Sequence, residues 1–232
     1  MHHEGFGFHA DAVAPGILSL LGPVLERDGV VLELGCGSGL LTRYLVDAGH
    51  RVIATDASPA MLDLARRTVP GASEIRELVL PDDPLPACDA VVAVGHPLNY
   101  LPSEDALFRA LVAACGALRP GGVIAVDLED LAWGRAWIEQ PPSGWLAEGW
   151  ALVMTRELPS PNRFVRTMAI FSRNADGETW RRDDERHENV LIDTALVPPL
   201  LAEHGVEAEI RASFGSEQLP PGLVAVVGRK VG

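Results

Sequence analysis

The chain has 232 residues, 47% of them hydrophobic, and a formal net charge of −13, which suits one domain with a large core. Because a surface this acidic repels phosphate backbones, we expect no nucleic-acid partner. Three cysteines are too few for a disulfide framework or a metal site and indicate a reducing compartment. Without a long apolar run or a signal peptide, we expect no membrane partner and a cytoplasmic location.

The first 29 residues are predicted to form an N-terminal helical and lid segment. A helix is predicted around the apolar residues from Ile17 to Leu25, with Pro15 near its start and Asp28-Gly29 at its end. We expect this helix to cover a sheet. The aromatic segment Phe6-Gly7-Phe8-His9 before it is expected to close over a ligand.

The apolar run from Val30 to Leu34 predicts a buried strand, and three alternating glycines after it predict a tight turn into a helix. Glycines let the backbone turn sharply and approach a ligand closely. Glu33 at the strand end favours a cationic ligand and would repel a pyrophosphate. Leu40 stands where a dinucleotide-binding turn has its third glycine. A ligand site is therefore predicted here, with a nicotinamide dinucleotide as the less favoured ligand.

A second strand is predicted at 51–56, and Asp56 ends it. A carboxylate at that place can accept hydrogen bonds from both hydroxyls of a ribose. Ser58 and Pro59 then predict a helix start, since serine caps helices and proline suits their first position. The spacing is compatible with either NAD or S-adenosylmethionine.

The middle of the chain alternates between strands and helices, which predicts a parallel sheet with right-handed crossovers. The later change of pattern predicts an antiparallel meander of three strands, at 150–157, 163–173 and 178–191. A helix at 194–204 and two more strands then complete the chain. The strands predicted in these regions lie at 73–80, 90–94, 123–127, 206–211 and 223–227.

Four ordered segments together resemble the class I S-adenosylmethionine-dependent methyltransferases. They are ELGCGSG at 33–39, VIATDASPAML at 52–62, CDAVVAV at 88–94 and LRPGGVIAVDL at 118–128. The resemblance implies an α/β fold with a Rossmann-like seven-stranded sheet, mostly parallel with an antiparallel last strand, plus an antiparallel β insertion. It divides the chain after the N-terminal segment into a cofactor-binding core at 30–144, an insertion over the active site at 145–191, and a C-terminal part of the core sheet at 192–232.

The resemblance also implies S-adenosyl-L-methionine as cofactor and S-adenosyl-L-homocysteine as product. The glutamate and glycines of the turn would hold the methionine end, and Asp56 would hold the ribose. Glu77 and Leu78 would lie at the adenine, although the family has Asp where Glu77 stands. The implied cofactor-binding residues are Glu33, Gly35, Cys36, Gly37, Gly39, Asp56, Ala57, Met61, Glu77, Leu78 and Gly95.

Candidate catalytic residues follow from what methyl transfer requires. The protein must align the nucleophile with the methyl group and exclude water, and a hydroxyl nucleophile also benefits from a general base. His96 follows the fourth strand and His187 lies on the meander, so both are candidates, and Tyr100 is a third; Glu129 is weaker. A purely structural role is the alternative for each. The substrate would lie under four tryptophans, which packing of the meander explains equally well: Trp133, Trp137, Trp145 and Trp150.

The segments LNYL at 98–101 and SEDALFRAL after it resemble a small-molecule branch that includes sugar-amine and glycine N-methyltransferase-like enzymes. The sequence therefore predicts an enzyme that transfers a methyl group to an N or O atom of a small molecule such as a natural-product intermediate. An NAD-dependent oxidoreductase and a non-catalytic relative that binds S-adenosylmethionine stay open as alternatives. The oligomeric state also stays open, a homodimer included.

Overall fold

The computed structural model describes residues 7–174 and 176–232. Its larger sheet has seven strands in the order β10-β11-β5-β4-β1-β2-β3, and its smaller sheet has four in the order β6-β7-β8-β9. The strands are β1 (Val30–Leu34), β2 (Arg51–Asp56), β3 (Glu74–Glu77), β4 (Cys88–Ala93), β5 (Leu118–Glu129), β6 (Ser143–Leu146), β7 (Trp150–Ser160), β8 (Arg163–Arg173), β9 (Trp180–Val190), β10 (Val206–Arg211) and β11 (Leu223–Lys230).

Helices cover both faces of the larger sheet. They are α1 (Gly7–Leu25), α2 (Leu40–Asp47), α3 (Pro59–Thr68), α4 (Glu104–Ala117), α5 (Leu131–Ile138) and α6 (Val197–Glu203), with short 3-10 turns at Pro97–Tyr100 and Thr194–Leu196. Buried leucines of α2 and α3 pack on one face of the sheet. Those of α4 and α6 pack on the other. This is the two-sided burial that a parallel sheet needs.

The predicted topology is confirmed. Strands β1 to β5 are parallel to one another along the order β5-β4-β1-β2-β3. Strand β11 runs antiparallel to both β5 and β10. Strand β3 is shorter than the predicted 73–80, and its charged residues leave it only partly buried at the sheet edge. The fold class predicted from the sequence is therefore the one observed.

Helix α1 begins earlier than predicted. It runs from Gly7 through Pro15 and Pro23, although a proline inside a helix costs about 3 kcal/mol. Three aliphatic side chains on its inner face are fully buried and offset this cost at about 1.5–3 kcal/mol each: Val13, Ile17 and Leu21. Residues 7–9 of the predicted aromatic lid have a helical backbone, and Phe6 lies outside the described residues. The lid role stays a prediction.

The antiparallel insertion has four strands, one more than predicted. Strand β6 pairs with β7 in the register Ser143↔Met154. Helix α5 before it was also missed, because its eight residues are too short to give a clear helical period. Asp130 caps this helix by accepting a hydrogen bond from the backbone N–H of Ala132 at 2.8 Å. The insertion is placed over the sheet by α5, which carries two of the tryptophans.

The order of the strands decides where a ligand can bind. Strand β1 lies between β4 and β2, so the chain leaves the middle of the sheet in opposite directions at the β1–β4 boundary. Open α/β sheets bind ligands at such a switch point, at the carboxyl ends of the strands. The glycine turn after β1 and the Gly95-His96 segment after β4 both lie there. Among residues 7–174 and 176–232 no helix is both long and apolar enough to cross a membrane.

Candidate functional site

A cavity of about 530 Å³ lies between the carboxyl edge of the larger sheet and the smaller sheet. Its floor is formed by Glu33, residues 35–38 of the glycine turn, and residues 94–96 after β4. Its roof is formed by the inward side chains of β7, β8 and β9. The floor and the roof of the cavity are therefore formed by segments that are far apart in sequence.

The glycine turn has the backbone that the sequence predicts. Gly35, Gly37 and Gly39 all have φ between 54° and 84°, which is the left-handed region that favours glycine. Beside Gly37, and beside Gly95 across the cavity, a Cβ atom would meet nothing within 4 Å. Gly39 packs instead against α3, where a Cβ would come within 3.0 Å of Val69 Cγ2. The open space beside Gly37 and Gly95 allows a ligand to approach the backbone closely.

Glu33 lines the floor of the cavity and is only 3% exposed. Thr42 Oγ1 donates a hydrogen bond of 2.6 Å to its Oε2 atom. Burial raises the pKa of Glu33 to about 7, and the hydrogen bond from Thr42 opposes that rise. This carboxyl group therefore changes charge near neutral pH, next to the glycine turn.

Asp56 links the glycine turn to the next helix. Its Oδ2 atom accepts a hydrogen bond from Gly37 N at 2.9 Å, and its Oδ1 atom accepts one from Ser58 N at 2.8 Å. Ser58 Oγ in turn accepts from Met61 N, so the predicted helix cap is present. A carboxylate has about four acceptor sites, so two of them stay available to a ligand.

The residues predicted at the adenosine end do not line the cavity. They are Asp56, Ala57, Met61, Glu77 and Leu78, and they lie at the ends of β2 and β3 and at the start of α3. Leu78 is buried and its N–H donates to Asp56 O at 3.1 Å, whereas Glu77 is exposed. The cavity and the strand ends of β2 and β3 therefore meet at the glycine turn.

The segment after β4 is held in a rare backbone conformation. His96 has φ of 50°, and Gly95 before it has φ of 86°. The buried carboxylate of Asp127 accepts hydrogen bonds from both of their N–H groups, at 2.9 and 2.6 Å. His9 Nε2 of α1 lies 2.8 Å from the same carboxylate. Strain of this kind, held by surrounding structure, is typical of functional sites.

His96 faces a second buried carboxyl group. Its Nδ1 atom lies 3.5 Å from Oε1 of Glu129, and among the described residues neither Nδ1 nor the two Glu129 oxygens has a hydrogen-bond partner. Burial, followed by the charge of Arg166, holds the pKa of His96 well below its ordinary value. Burial raises the pKa of Glu129 to about 8, with Arg166 opposing the rise and Asp127 adding to it. Burial therefore favours the uncharged form of both side chains and works against an ion pair between them.

A chain of polar side chains connects the floor to the roof. Tyr100 Oη lies 2.9 Å from His187 Nδ1, and His187 Nε2 lies 3.0 Å from Glu185 Oε2. Arg166 Nη2 donates to the same tyrosine oxygen at 2.9 Å. The ring of Tyr100 is stacked on that of His96 with centroids 5.9 Å apart. The fold thus brings together the three side chains that the sequence named as catalytic candidates.

The aromatic cluster predicted over the substrate lines the cavity. All four side chains line it: Trp133, Trp137, Trp145 and Trp150. The rings of the first two, both on α5, have centroids 5.3 Å apart. Their position over the floor does not by itself assign them a role.

Sequence reasoning missed two polar residues that shape this site. Asp127 was placed at the end of β5 without a role, yet it is fully buried and ties α1 to the Gly95-His96 segment. A charged residue that ends the apolar run from Val123 to Val126 was the available signal. Arg166 was given no role within the predicted strand at 163–173, and it lines the cavity. No group of three or more His, Cys, Asp or Glu side chains suited to a metal ion occurs in the part of the chain that the structure describes.

We expect Glu129→Gln to stabilise the protein at alkaline pH. A carboxyl group whose pKa rises from 4.5 to about 8 on folding stabilises the folded state below pH 4.5. It loses that contribution as the pH rises to about 8, at up to about 1.4 kcal/mol per pH unit. Urea unfolding from pH 5 to pH 9 should give a flatter profile for the variant and a larger free energy of unfolding at pH 9.

Glu148→Gln is the matched control, because Glu148 is exposed in the loop between β6 and β7. It should follow the wild-type profile. A wild-type pH profile shared by Glu129→Gln would contradict the assignment of a buried, protonated carboxyl group.

Comparisons with known proteins agree with this architecture. Residues 31–122 match the family model described as a methyltransferase domain. A trans-aconitate 2-methyltransferase of Escherichia coli is 33% identical over 125 residues, which are 53% of this chain and 48% of that protein. The chain therefore spans about half the length of the curated relatives it matches.

Solved structures resemble the chain over nearly its whole length. An S-adenosylmethionine-dependent methyltransferase from Clostridium acetobutylicum has a TM-score of 0.81 at 17% identity, covering 96% of this chain and 92% of that one. A sugar N-methyltransferase from Streptoalloteichus has a TM-score of 0.75 at 20% identity, covering 97% and 87%. The fold that the sequence resemblance implied is confirmed: the chain has the fold of these S-adenosylmethionine-dependent methyltransferases, and its residues 31–122 match a methyltransferase domain.

Proposed function

We propose that the protein is an enzyme that transfers a methyl group from S-adenosylmethionine to an N or O atom of a small molecule, such as a natural-product intermediate. The observation that carries this proposal is the glycine turn. It places the buried carboxyl group of Glu33 and the carboxylate of Asp56 at neighbouring strand ends, beside a covered cavity.

The residues of the turn suit this cofactor. The open space beside Gly37 and Gly95 accepts a ligand against the backbone. Glu33 would face the ammonium group of the methionine end, and the two remaining acceptor sites of Asp56 would take the ribose hydroxyls. Ala57, Met61, Glu77 and Leu78 would surround the adenine end. When bound, the cofactor supplies the activated methyl group.

The remaining work of the chain is alignment and proton transfer. The roof of β7 to β9 excludes water from the cavity, which favours an in-line displacement. Nδ1 of His96 has no hydrogen-bond partner among the described residues, and the lowered pKa of the ring favours its uncharged form. His96 can therefore take a proton from the methyl acceptor. Tyr100 and His187 offer a second route, through Glu185, whose side chain is 41% exposed.

Calorimetric titration with S-adenosylhomocysteine, S-adenosylmethionine and NAD tests the proposal. We expect the two sulfur compounds to bind and NAD to give no heat, because Glu33 would repel a pyrophosphate. Binding of NAD instead would favour the oxidoreductase. No binding of any of the three would contradict the proposed cofactor.

The charge of Glu33 should make this binding depend on pH. Because its pKa is about 7, the carboxylate forms as the pH rises through 7, and only the carboxylate attracts an ammonium group. We expect the affinity for S-adenosylhomocysteine to rise between pH 6 and pH 8 by up to about tenfold. The measurement is calorimetry at three pH values.

Glu33→Gln should bind more weakly at pH 8 and lose the pH dependence. Glu148→Gln, which changes an exposed carboxylate far from the turn, should keep the wild-type profile. A flat wild-type profile would remove Glu33 from the proposed ammonium site.

A further inference from the structure

The roof of the cavity carries two arginines side by side. Arg156 on β7 and Arg166 on β8 are direct partners in the strand register, and both side chains line the cavity. Among the described residues neither guanidinium has a carboxylate oxygen within 4.0 Å. Arg181 and Arg182 on the outer part of the same sheet each pair with an aspartate. The two cavity arginines are therefore unlike their neighbours.

This arrangement is unfavourable without a ligand. Like charges directly opposite each other on adjacent strands repel, and the pKa of Arg156 is lowered by burial and then by Arg166. Acidic residues are abundant in the chain, with 32 Asp and Glu against 19 Lys and Arg. Of the carboxyl groups near the cavity, Glu185 lies 3.0 Å from His187 and Glu33 accepts from Thr42. Glu129 feels the charge of Arg166, but among the described residues its oxygens form no ion pair with either guanidinium.

The hydrogen bonds of the two guanidinium groups go to neutral oxygens. Arg166 uses Nη2 for both Tyr100 Oη and Asn189 Oδ1, while its buried Nε has no partner among the described residues. Arg156 donates to Pro141 O and Ser143 Oγ. Two parallel N–H bonds from one guanidinium fit a carboxylate. Within the described chain, no carboxylate therefore forms an ion pair with either arginine of this wall.

The guanidinium of Arg166 lies close to His96, the proposed proton acceptor, with one side chain between them. Tyr100 lies between the two: its hydroxyl accepts from Arg166, and its ring stacks on His96 at 5.9 Å. The other walls of the cavity are largely apolar and include four tryptophans, two of them on α5. A flat apolar body bearing an anion at one end would fit between them.

We propose that the methyl acceptor is a small molecule with a carboxylate on a flat, ring-sized apolar body, and that Arg166 and Arg156 hold the carboxylate while the nucleophile faces His96. This inference rests on the proposed methyltransferase function and names its substrate class. Both arginines are specificity-determining residues in this assignment.

Tryptophan fluorescence can report binding, because four of the five tryptophans of the chain line the cavity. The protein is saturated with S-adenosylhomocysteine and titrated with 4-hydroxybenzoate and with 4-hydroxybenzamide, its uncharged counterpart. We expect the acid to bind at least about tenfold more tightly than the amide. In Arg166→Gln and Arg156→Gln this preference should fall to about twofold or less, and Arg166→Lys should be intermediate because it keeps the charge but loses the fork.

Arg181→Gln is the matched control, since Arg181 is exposed on the same sheet and pairs with Asp183. It should keep the wild-type preference, and thermal unfolding should be unchanged in all variants compared. Equal affinity for acid and amide in the wild type, or binding of neither, would overturn the assignment. So would a wild-type preference in both cavity variants.

Calorimetry of the same proteins with S-adenosylhomocysteine separates this inference from the proposed function. We expect unchanged affinity in Arg166→Gln and Arg156→Gln. A loss of more than about tenfold in both would mean that the arginines hold the carboxylate of the cofactor, which overturns the acceptor assignment while the methyltransferase proposal stands. Absence of binding in the wild type would instead refute the proposed function.

Discussion

Replacing Asp56 by alanine should weaken the binding of S-adenosylhomocysteine by at least about 100-fold, or about 2.7 kcal/mol. The variant loses the proposed acceptor for two ribose hydroxyls, and hydrogen bonds to a charged group contribute about 1.5–3 kcal/mol each. It also leaves Gly37 N and Ser58 N without the partners they have at 2.9 and 2.8 Å. Calorimetric titration at pH 8 measures the change.

Asp63→Ala is the control for this prediction. Asp63 lies on α3, close to Asp56 in sequence, but its side chain is 65% exposed and pairs with Arg66. The control should bind with wild-type affinity. An Asp56→Ala variant that also binds within about threefold of the wild type would refute the assigned ribose site.

Gly35→Ala should destabilise the fold by about 2–5 kcal/mol and disturb the site. A Cβ atom at Gly35 would overlap Cβ and Cγ of Pro97, and φ there is 68°. The left-handed conformation costs an alanine about 1–2 kcal/mol, and overpacking adds about 1–3 kcal/mol. Pro97 follows His96 directly, so relief of the overlap would also displace the proposed proton acceptor.

Gly37→Ala separates the two causes. Its φ is 54°, but a Cβ there would meet nothing within 4 Å, so only the conformational cost remains. Urea unfolding should place Gly37→Ala between the wild type and Gly35→Ala. Equal stability of the two variants would mean that the contact with Pro97 contributes nothing.

The sequence by itself predicted the parallel sheet and the glycine turn, because local patterns specify them. A strand that is buried on both faces is almost entirely apolar, as β1 and β4 are apart from Glu33 and Asp89. A left-handed turn favours glycine, because other residues rarely adopt that conformation. Strand β8 was predicted with its observed bounds, Arg163–Arg173, because turn residues flank it. The roles assigned to the cofactor-binding and catalytic residues stay predictions.

Tertiary packing overrode the local rules in α1. Proline at position 15 predicts a helix start, but the helix begins at Gly7. The free energy of burying Val13, Ile17 and Leu21 against the sheet exceeds the cost of the proline. A single-sequence pattern does not contain this balance, since the surface that receives the helix is formed by strands elsewhere in the chain.

The constellation of the cavity was likewise decided only by the tertiary structure. His9 and Asp127 are 118 residues apart in sequence, and Tyr100 and His187 are 87 apart. Sequence patterns report neighbours along one strand or helix, whereas these contacts depend on how the insertion folds back over the sheet. The sequence therefore determined most of the helices and strands and the position of the glycine turn. The tertiary structure decided which side chains face one another across the cavity, because that depends on the packing of two sheets with no shared local signal.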